Sequence, residues 1–260
     1  MGGQFSQFSQ FSLDGRVVLV TGSARGIGRA IAEACGRAGA HVIINARSAD
    51  GVEATVESLR ALDLVVDGCV ADVTDVGAVV EMVDSIEAEH GPISGLVNNA
   101  GIQIRGPLVD FDIADYRHLL DVNLVAPFIV TQAVARHMTD RGAGRIVNIG
   151  SVQSALGRPT IVPYTASKGG LSVMTRGMCA ELGPRNIQVN CVAPGYFETD
   201  LTQALVDDPD FSAWVAQRTP AGRWGRVDEL GGAVTFLLSD AASFINGQTL
   251  FVDGGMTSVV

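Results

Sequence analysis

A chain of 260 residues falls within the range of one α/β domain, and its 47% hydrophobic and 18% charged residues describe a protein with a large buried core. A formal net charge of −10 argues against nucleic acid and anionic membrane as partners, because both recruit basic surface. The four cysteines (Cys35, Cys69, Cys179, Cys191) make no C-x-x-C pair, no signal-peptide pattern opens the sequence, and no apolar run approaches the ~20 residues of a membrane span, so a reduced, cytoplasmic protein is expected.

Gln-Phe-Ser occurs three times between residues 4 and 12, and residues 1–12 read as a flexible N-terminal arm. From Leu13 onward apolar strands alternate with helical patterns, and no linker divides residues 13–260. The pattern predicts a strand over Arg16–Thr21, then a Gly-rich turn and a helix over Gly28–Ala38. A second strand (Ala40–Asn45) leads to a helix (Asp50–Leu62), and a third (Leu64–Ala71) to a helix (Val76–Glu89). The fourth strand, Gly95–Asn98, precedes one long helix over Ala114–Thr139. The fifth, Arg145–Gly150, precedes a helix over Tyr164–Leu182. Ile187–Val192 is the sixth, and Thr249–Val252, after a helix over Val227–Leu238, the seventh. Strands that are apolar throughout are buried on both faces, and regular alternation implies parallel strands joined by right-handed crossovers. The expected fold is therefore a single-domain α/β protein, a Rossmann-type doubly wound parallel sheet of seven strands with helices on both faces. Pro194–Val227 breaks the rhythm. It is long, aromatic and proline-bearing, with only short helical patches, and reads as a lid over a substrate site.

Thr21-Gly22-Ser23-Ala24-Arg25-Gly26-Ile27-Gly28 sits between the first strand and the first helix. Glycines there permit a tight turn and let a pyrophosphate approach the free N–H groups of a helix N-terminus. Strand before and helix after supply the context that makes such a turn a dinucleotide site. Gly22, Ser23, Arg25, Gly26, Ile27 and Gly28 are its candidate residues. At the tip of the second strand the sequence reads Asn45-Ala46-Arg47, without the carboxylate that would accept bonds from both ribose hydroxyls of NAD. Arg47, helped by Arg25, suits a 2′-phosphate instead, so NADP is the expected cofactor and NAD the less expected one.

Tyr164 and Lys168 are four residues apart and share one helix face. A phenol titrates near pH ~10, and a neighbouring ammonium is expected to stabilise the phenolate and make it an acid/base group usable near neutrality. Ser151, thirteen residues upstream at the end of a buried strand, can hold a substrate oxygen while the tyrosine moves its proton.

Taken together, the 21–28 turn, Asp72 after the third strand, Asn98-Asn99-Ala100-Gly101, Asn123, Ser151, Tyr164/Lys168 and Pro194-Gly195 resemble the short-chain dehydrogenase/reductase family in order and spacing, over the whole chain after the arm. The resemblance implies a catalytic set of Asn123, Ser151, Tyr164 and Lys168. In it Tyr164 is general acid in reduction and base in oxidation, and Lys168 holds the nicotinamide ribose and lowers the tyrosine pKa. Ser151 orients the substrate oxygen, and Asn123 supports a water leading to Lys168. It also implies that Asp72 and Val73 face the adenine, that Asn99, Ala100 and Gly101 flank the cofactor ribose, and that Pro194 and Gly195 pass close to the nicotinamide. Thr199 would bind the carboxamide or pyrophosphate, and Asn98 reads as a pin inside the sheet.

Within the family, Ala100-Gly101-Ile102-Gln103-Ile104-Arg105 and Arg218-Thr219-Pro220-Ala221-Gly222-Arg223-Trp224-Gly225 resemble the branch that interconverts gluconate and 5-ketogluconate. The expected substrate is accordingly a small polyhydroxy or keto acid, with Gln103, Arg105, Ser151 and Gln153 as candidate contacts and Arg158 nearby. The alternatives are a 3-oxoacyl thioester or other ketone reductase and a catalytically silent NADP-binding regulator. His41, His90, His118 and His137 share no ligand spacing, so no metal is expected. Small residues on the Tyr164–Leu182 helix (Gly169, Gly170, Val173, Met174, Gly177, Met178), together with the apolar tail Phe251–Val260, suggest self-association into a homotetramer.

Overall fold

The computed structural model describes residues 9–199 and 202–259. Residues 1–8 of the expected arm thus lie outside the described residues, whereas Ser9–Phe11 form a 3₁₀ turn with Phe11 packed on Phe236 at 6.1 Å between ring centroids. The end of the arm belongs to the fold rather than to a free tail. Next come β1 (Val17–Val20), α1 (Gly26–Arg37), β2 (His41–Ala46), α2 (Ala49–Arg60), β3 (Val66–Val70), α3 (Val76–Glu89) and β4 (Ile93–Asn98). α4 (Ile113–Leu120) runs through a π-helical turn at Asp121–Val125 into α5 (Ala126–Arg141), followed by β5 (Gly144–Ile149), α6 (Val162–Leu182) and β6 (Ile187–Pro194). The chain ends with β7 (Phe197–Glu198), α7 (Gln203–Val206), α8 (Pro209–Arg218), β8 (Gly225–Arg226), α9 (Asp228–Leu238) and β9 (Thr249–Val252).

Seven strands form one parallel sheet in the order β3-β2-β1-β4-β5-β6-β9, while β7 and β8 pair as a small separate ribbon. The order reverses between β1 and β4, so a crevice opens beyond the carboxyl ends of those two strands, where doubly wound sheets bind ligands. Side chains alternate across each strand and feed two cores. Val18 and Val20 of β1 join Ile31, Leu59, Leu230 and Val234 on the face covered by α1, α2 and α9. Val17 and Leu19 join Val79, Val83, Val130 and Val134 under α3 and α5.

Local chemistry sets the helix ends. Ser48 accepts from Gly51 N–H at the start of α2, Asp75 from Ala78 N–H at α3, and Asp112 and Asp208 do the same for α4 and α8. The long helix expected over Ala114–Thr139 is present but not regular. Pro127 has no N–H to give the carbonyl of Asn123 four residues earlier, and the chain passes through the wider π turn there. The expectation that no apolar run is long enough to cross a membrane also needs correction. Ile113–Arg141 is a 29-residue helical run with an 18-residue window of mean hydropathy 1.4, but more than half of that window is buried against the rest of the fold. Core burial, rather than a bilayer, explains its composition.

Candidate active site

The turn after β1 and the turn after β4 are laced together across the crevice. Thr21 Oγ1 accepts from the N–H groups of Asn99 and Ala100 at 3.0 and 3.1 Å, and Asn99 Nδ2 donates to the carbonyls of Thr21 and Gly22 at 2.9 Å each. Gly22 and Gly26 adopt φ of +62° and +55°, the left-handed region open to glycine. A Cβ on Gly22 would stand 2.7 Å from Ala100 Cα, and one on Gly28 2.5 Å from the Gly22 carbonyl oxygen. The starts of α2, α3, α4 and α8 carry side-chain caps. α1 does not: Arg25 precedes it in extended conformation with no capping bond. Its first N–H groups therefore point free into the crevice, with Ile27 leaning back on the core, an arrangement that fits a pyrophosphate.

Ser23 is not part of that surface. It is fully buried, its hydroxyl donating to Val20 O and accepting from Asn45 N–H, so it fastens the turn to the sheet. At the other end of the crevice Arg25 and Arg47 are exposed. The strand tip of β2 indeed lacks an acid, yet a carboxylate reaches the same place from β3. Asp72 Oδ2 lies 3.8 Å from Arg47 Nη1, a loose contact between exposed groups. Hydrogen bonds from the Thr74 N–H and hydroxyl, more than Arg47, hold the Asp72 carboxyl below its usual range and keep it ionised. Val73 beside it is buried.

β5 ends at Ile149 and delivers Ser151, 8% exposed, to the carboxyl edge of the sheet, where its hydroxyl accepts from Gln153 N–H. α6 brings in Tyr164 and Lys168. Ser151 lies near enough to the Tyr164 phenol to lower its pKa, Lys168 Nζ lies 5.8 Å from the Tyr164 ring centroid, and the buried ammonium donates to Ile149 O at 2.7 Å. A Cβ on Gly101 would come 3.8 Å from Lys168 Nζ, so the turn after β4 faces the lysine across a gap that only small residues leave open. Asn123, fully buried in the π turn, donates to Ile102 O and accepts from Ile102 N–H, both at 2.8 Å, and reaches Ser167 Oγ at 3.3 Å.

The electrostatics differ from the sequence expectation. Burial pushes the Tyr164 phenol up, with Ser151 acting the other way, and Lys168 is not among the groups that move it. Lys168 itself is pushed down to about 8 by burial. The lysine ammonium is turned onto Ile149 O rather than onto the phenol.

Comparison with known proteins agrees with this geometry. A family model described as enoyl-(acyl carrier protein) reductase matches residues 22–257. The chain belongs to the short-chain dehydrogenase/reductase family. Within it, the chain is 51% identical over 247 residues to gluconate 5-dehydrogenase of Gluconobacter oxydans (strain 621H), covering 95% of this chain and 96% of the relative. It is 50% identical over 250 residues to 5-keto-D-gluconate 5-reductase of Escherichia coli (strain K12), covering 96% and 98%. A crystal structure of a gluconate 5-dehydrogenase from Burkholderia cenocepacia J2315, in complex with NADP and tartrate, superposes with TM-score 0.95 at 52% identity, covering 97% and 99%.

For a short-chain dehydrogenase/reductase, the remaining candidates divide clearly. β6 ends at Pro194, Gly195 N–H donates to Val252 O, and a Cβ on Gly195 would meet Asp253 Cα at 2.8 Å, so the strap beyond β6 runs tight against β9. The Thr199 hydroxyl shares a 3.0 Å bond with Thr202 rather than standing free. Gln103 and Arg105 lie exposed on a strap pinned at one end by Asn123, and Gln153 is buried. Asn98 is the interior pin expected: Nδ2 donates to Thr131 Oγ1 and Asn148 Oδ1 at 2.9 Å each.

Two features escaped the sequence reading. Tyr196, adjacent to Pro194-Gly195, lies edge-on to Phe211, Trp214 and Trp224 at 5.6–5.8 Å. Its position after the expected nicotinamide strap was the available signal. His41 and His90, unrelated by spacing, both converge on Asp67 Oδ2 at 2.7 and 3.5 Å. Arg60 occupies the other carboxylate oxygen, so a cation there would face an adjacent guanidinium.

Proposed function

We propose that the protein reduces 5-ketogluconate with NADPH and, in reverse, oxidises gluconate with NADP, in the cytoplasm and as a homotetramer. The observation that carries the chemistry is the half-buried Tyr164, its phenol near Ser151 and its ring 5.8 Å from Lys168 Nζ, at the mouth of the glycine-lined crevice. Half-identity along the whole chain to proteins named for gluconate and 5-ketogluconate carries the substrate. A neighbouring structure at 52% identity holds NADP and tartrate, a hydroxy acid of the same class.

NADPH, when bound, supplies the hydride. The chain's own part begins with Gly22, Gly26, Gly28 and the free α1 terminus cradling the pyrophosphate, while Arg25 and Arg47 take the 2′-phosphate, Arg47 exchanging its loose contact with Asp72 for a charge-assisted bond. Asn99, Ala100 and Gly101 line the cofactor's middle, Asp72 and Val73 the adenine side, and Pro194, Gly195 and Thr199 the nicotinamide side. Ser151 Oγ holds the ketone oxygen, and Tyr164 Oη passes its proton to that oxygen as the carbonyl becomes an alcohol. Lys168 holds the ribose hydroxyls, and Asn123 supports the water that returns a proton. Residues 194–227 act as the lid, and Gln103, Arg105 and Gln153 meet the polyhydroxy chain.

Self-association is supported by exposed apolar side chains on the outer helices (Val125 and Phe128, Val162 and Val173) and by open space above Gly169 and Gly177 of α6, where a second copy can approach closely. The reduced, intracellular setting is supported by four free cysteines. The deciding experiment measures kcat/KM for 5-ketogluconate and for an acetoacetyl thioester, each with NADPH and NADH. Higher efficiency on the keto acid with NADPH is expected, and a preference for the thioester overturns the substrate assignment.

A further inference from the structure

The lid and the loop after β5 bring together polar groups that nothing in the fold satisfies. Residues 155–161 are tied to the strap after β4 by Gly106 N–H donating to Thr160 O at 3.0 Å. Thr160 makes that bond from a left-handed backbone, φ +71°, which is strained for a β-branched residue. The tie holds the segment carrying Arg158 against the segment carrying Arg105. From the opposite side the lid helix α8 presents Phe211, over whose ring the Arg158 guanidinium lies at 5.6 Å, and Phe211 in turn packs edge-on to Tyr196. The Tyr196 hydroxyl is buried and bonded to nothing among the described residues, as is the Oε1 of Gln153, a side chain 7% exposed. Neither guanidinium has a carboxylate within ion-pair distance among the described residues.

Two guanidiniums on joined segments, with an unused hydroxyl and no acid paired to either among the described residues, make a place for an anion. We propose that Arg158, with Arg105 and the Tyr196 hydroxyl, forms a carboxylate subsite that holds the acid end of the substrate while Ser151 and Tyr164 hold its reacting carbonyl. This rests on the gluconate reading above and adds to it the reason for preferring an acid to a neutral polyol. A planar guanidinium fork matches a carboxylate in a bidentate manner, and Tyr196 Oη–H adds a third donor. The groups already feel one another: partial desolvation of the otherwise exposed side chain first, then the Arg158 charge, pull the Arg105 guanidinium down, and both arginines counter the effect of burial on the Tyr196 phenol. Because Arg158 and Tyr196 both rest on α8, the acid also becomes the group that fastens the lid.

The test compares gluconate with D-glucitol, which carries the same run of hydroxyls but no carboxylate, in the NADP-loaded protein. In Arg158→Gln the ratio of kcat/KM for acid over polyol should fall about 10- to 10²-fold, the loss expected for a charge-assisted hydrogen bond, mainly through KM for the acid. Arg158→Lys should recover part of the ratio. A loss shared equally by both substrates, or an unaltered ratio, overturns the proposal. A second measurement, calorimetric binding of tartrate to the NADP complex, separates this idea from the substrate assignment. If gluconate is not turned over but tartrate binds and loses at least tenfold in affinity in Arg158→Gln, the carboxylate subsite stands and the gluconate reading falls. If gluconate is turned over and both the ratio and the tartrate affinity are indifferent to Arg158, the subsite falls and the gluconate reading stands.

Discussion

Gly28→Ala is the most demanding single test of the crevice, because one methyl group meets three atoms of the machinery at once. Its carbon would stand 2.4 Å from Asn99 Nδ2, 2.5 Å from the Gly22 carbonyl oxygen and 2.8 Å from Ser23 Cα. Two of these are backbone of the phosphate turn itself, and the amide cannot swing away without releasing its 2.9 Å bonds to Thr21 O and Gly22 O. Releasing two such bonds costs roughly 1 kcal/mol each, and forcing a methyl into a packed site typically costs about 1–3 kcal/mol. Since relief of one reduces the other, a total of about 2–4 kcal/mol is expected. For a chain of this length that lowers the thermal midpoint by roughly 5–15 °C. The same displacement moves the turn against which the pyrophosphate sits, so NADPH should bind about 10²-fold more weakly if some 3 kcal/mol is lost in the complex. Differential scanning fluorimetry without cofactor and calorimetric titration with NADPH read the two effects separately. A variant with wild-type midpoint and wild-type NADPH affinity would refute the reasoning, since no arrangement of these atoms accepts the methyl group unchanged.

Tyr164→Phe removes the transferable proton while keeping the ring, so NADPH should still bind while turnover drops roughly 10²- to 10⁴-fold; near-normal turnover would remove Tyr164 from the acid/base role. The pH profile of ketone reduction should be level below pH 8 and decline above it: Lys168, depressed to about 8, loses its charge as pH rises through that value, whereas Tyr164, raised by burial, keeps its proton. A rate still level at pH 9.5 would contradict the assigned part of Lys168. Adjacent glycines of α9 should respond in opposite directions. Gly231→Ala would press its methyl 2.4 Å from Ala34 Cβ on α1 and cost about 1–3 kcal/mol. Gly232→Ala points into open space and should stabilise the helix by about 0.5–1 kcal/mol, both read by urea unfolding.

The parallel sheet was legible because its strands are apolar on both faces, and α3 and β9 were bounded to the residue by Asp75 and by the Val252 end of an apolar run. Tyr164, Lys168 and Ser151 were legible by spacing and order. The π turn was not, although Pro127 stood in the sequence: reading a helix by its apolar stripe ignores one missing N–H. The inward turn of Ser23 was hidden because a Gly-rich motif specifies backbone shape, not which side chains face the ligand. Lys168 turns its ammonium onto a carbonyl of β5, nineteen residues earlier, and no local pattern encodes that. Arg158, Tyr196 and Phe211 come from three segments joined only by tertiary packing, so their meeting could not be read from any one of them.

The amide of Asn98 has a consequence for how the molecule assembles. It donates to Thr131 of α5 and to Asn148 of β5, and Asn148 passes the chain on to Thr175 of α6, which donates to the Leu171 carbonyl. Four elements separated by as many as 77 positions must arrive in register before any of these buried groups is satisfied. Slip β5 by one residue against β4 and Asn148 turns to the opposite face, stranding polar atoms on both strands inside an apolar layer. Parallel sheets form late and through long loops, where mispaired compact states are the main hazard. A polar relay at the centre of the sheet makes those states costly, at the expense of one buried Asn98 oxygen left without a partner in the native pairing, so it acts as a proofreading device for strand order that an all-valine interior would lack.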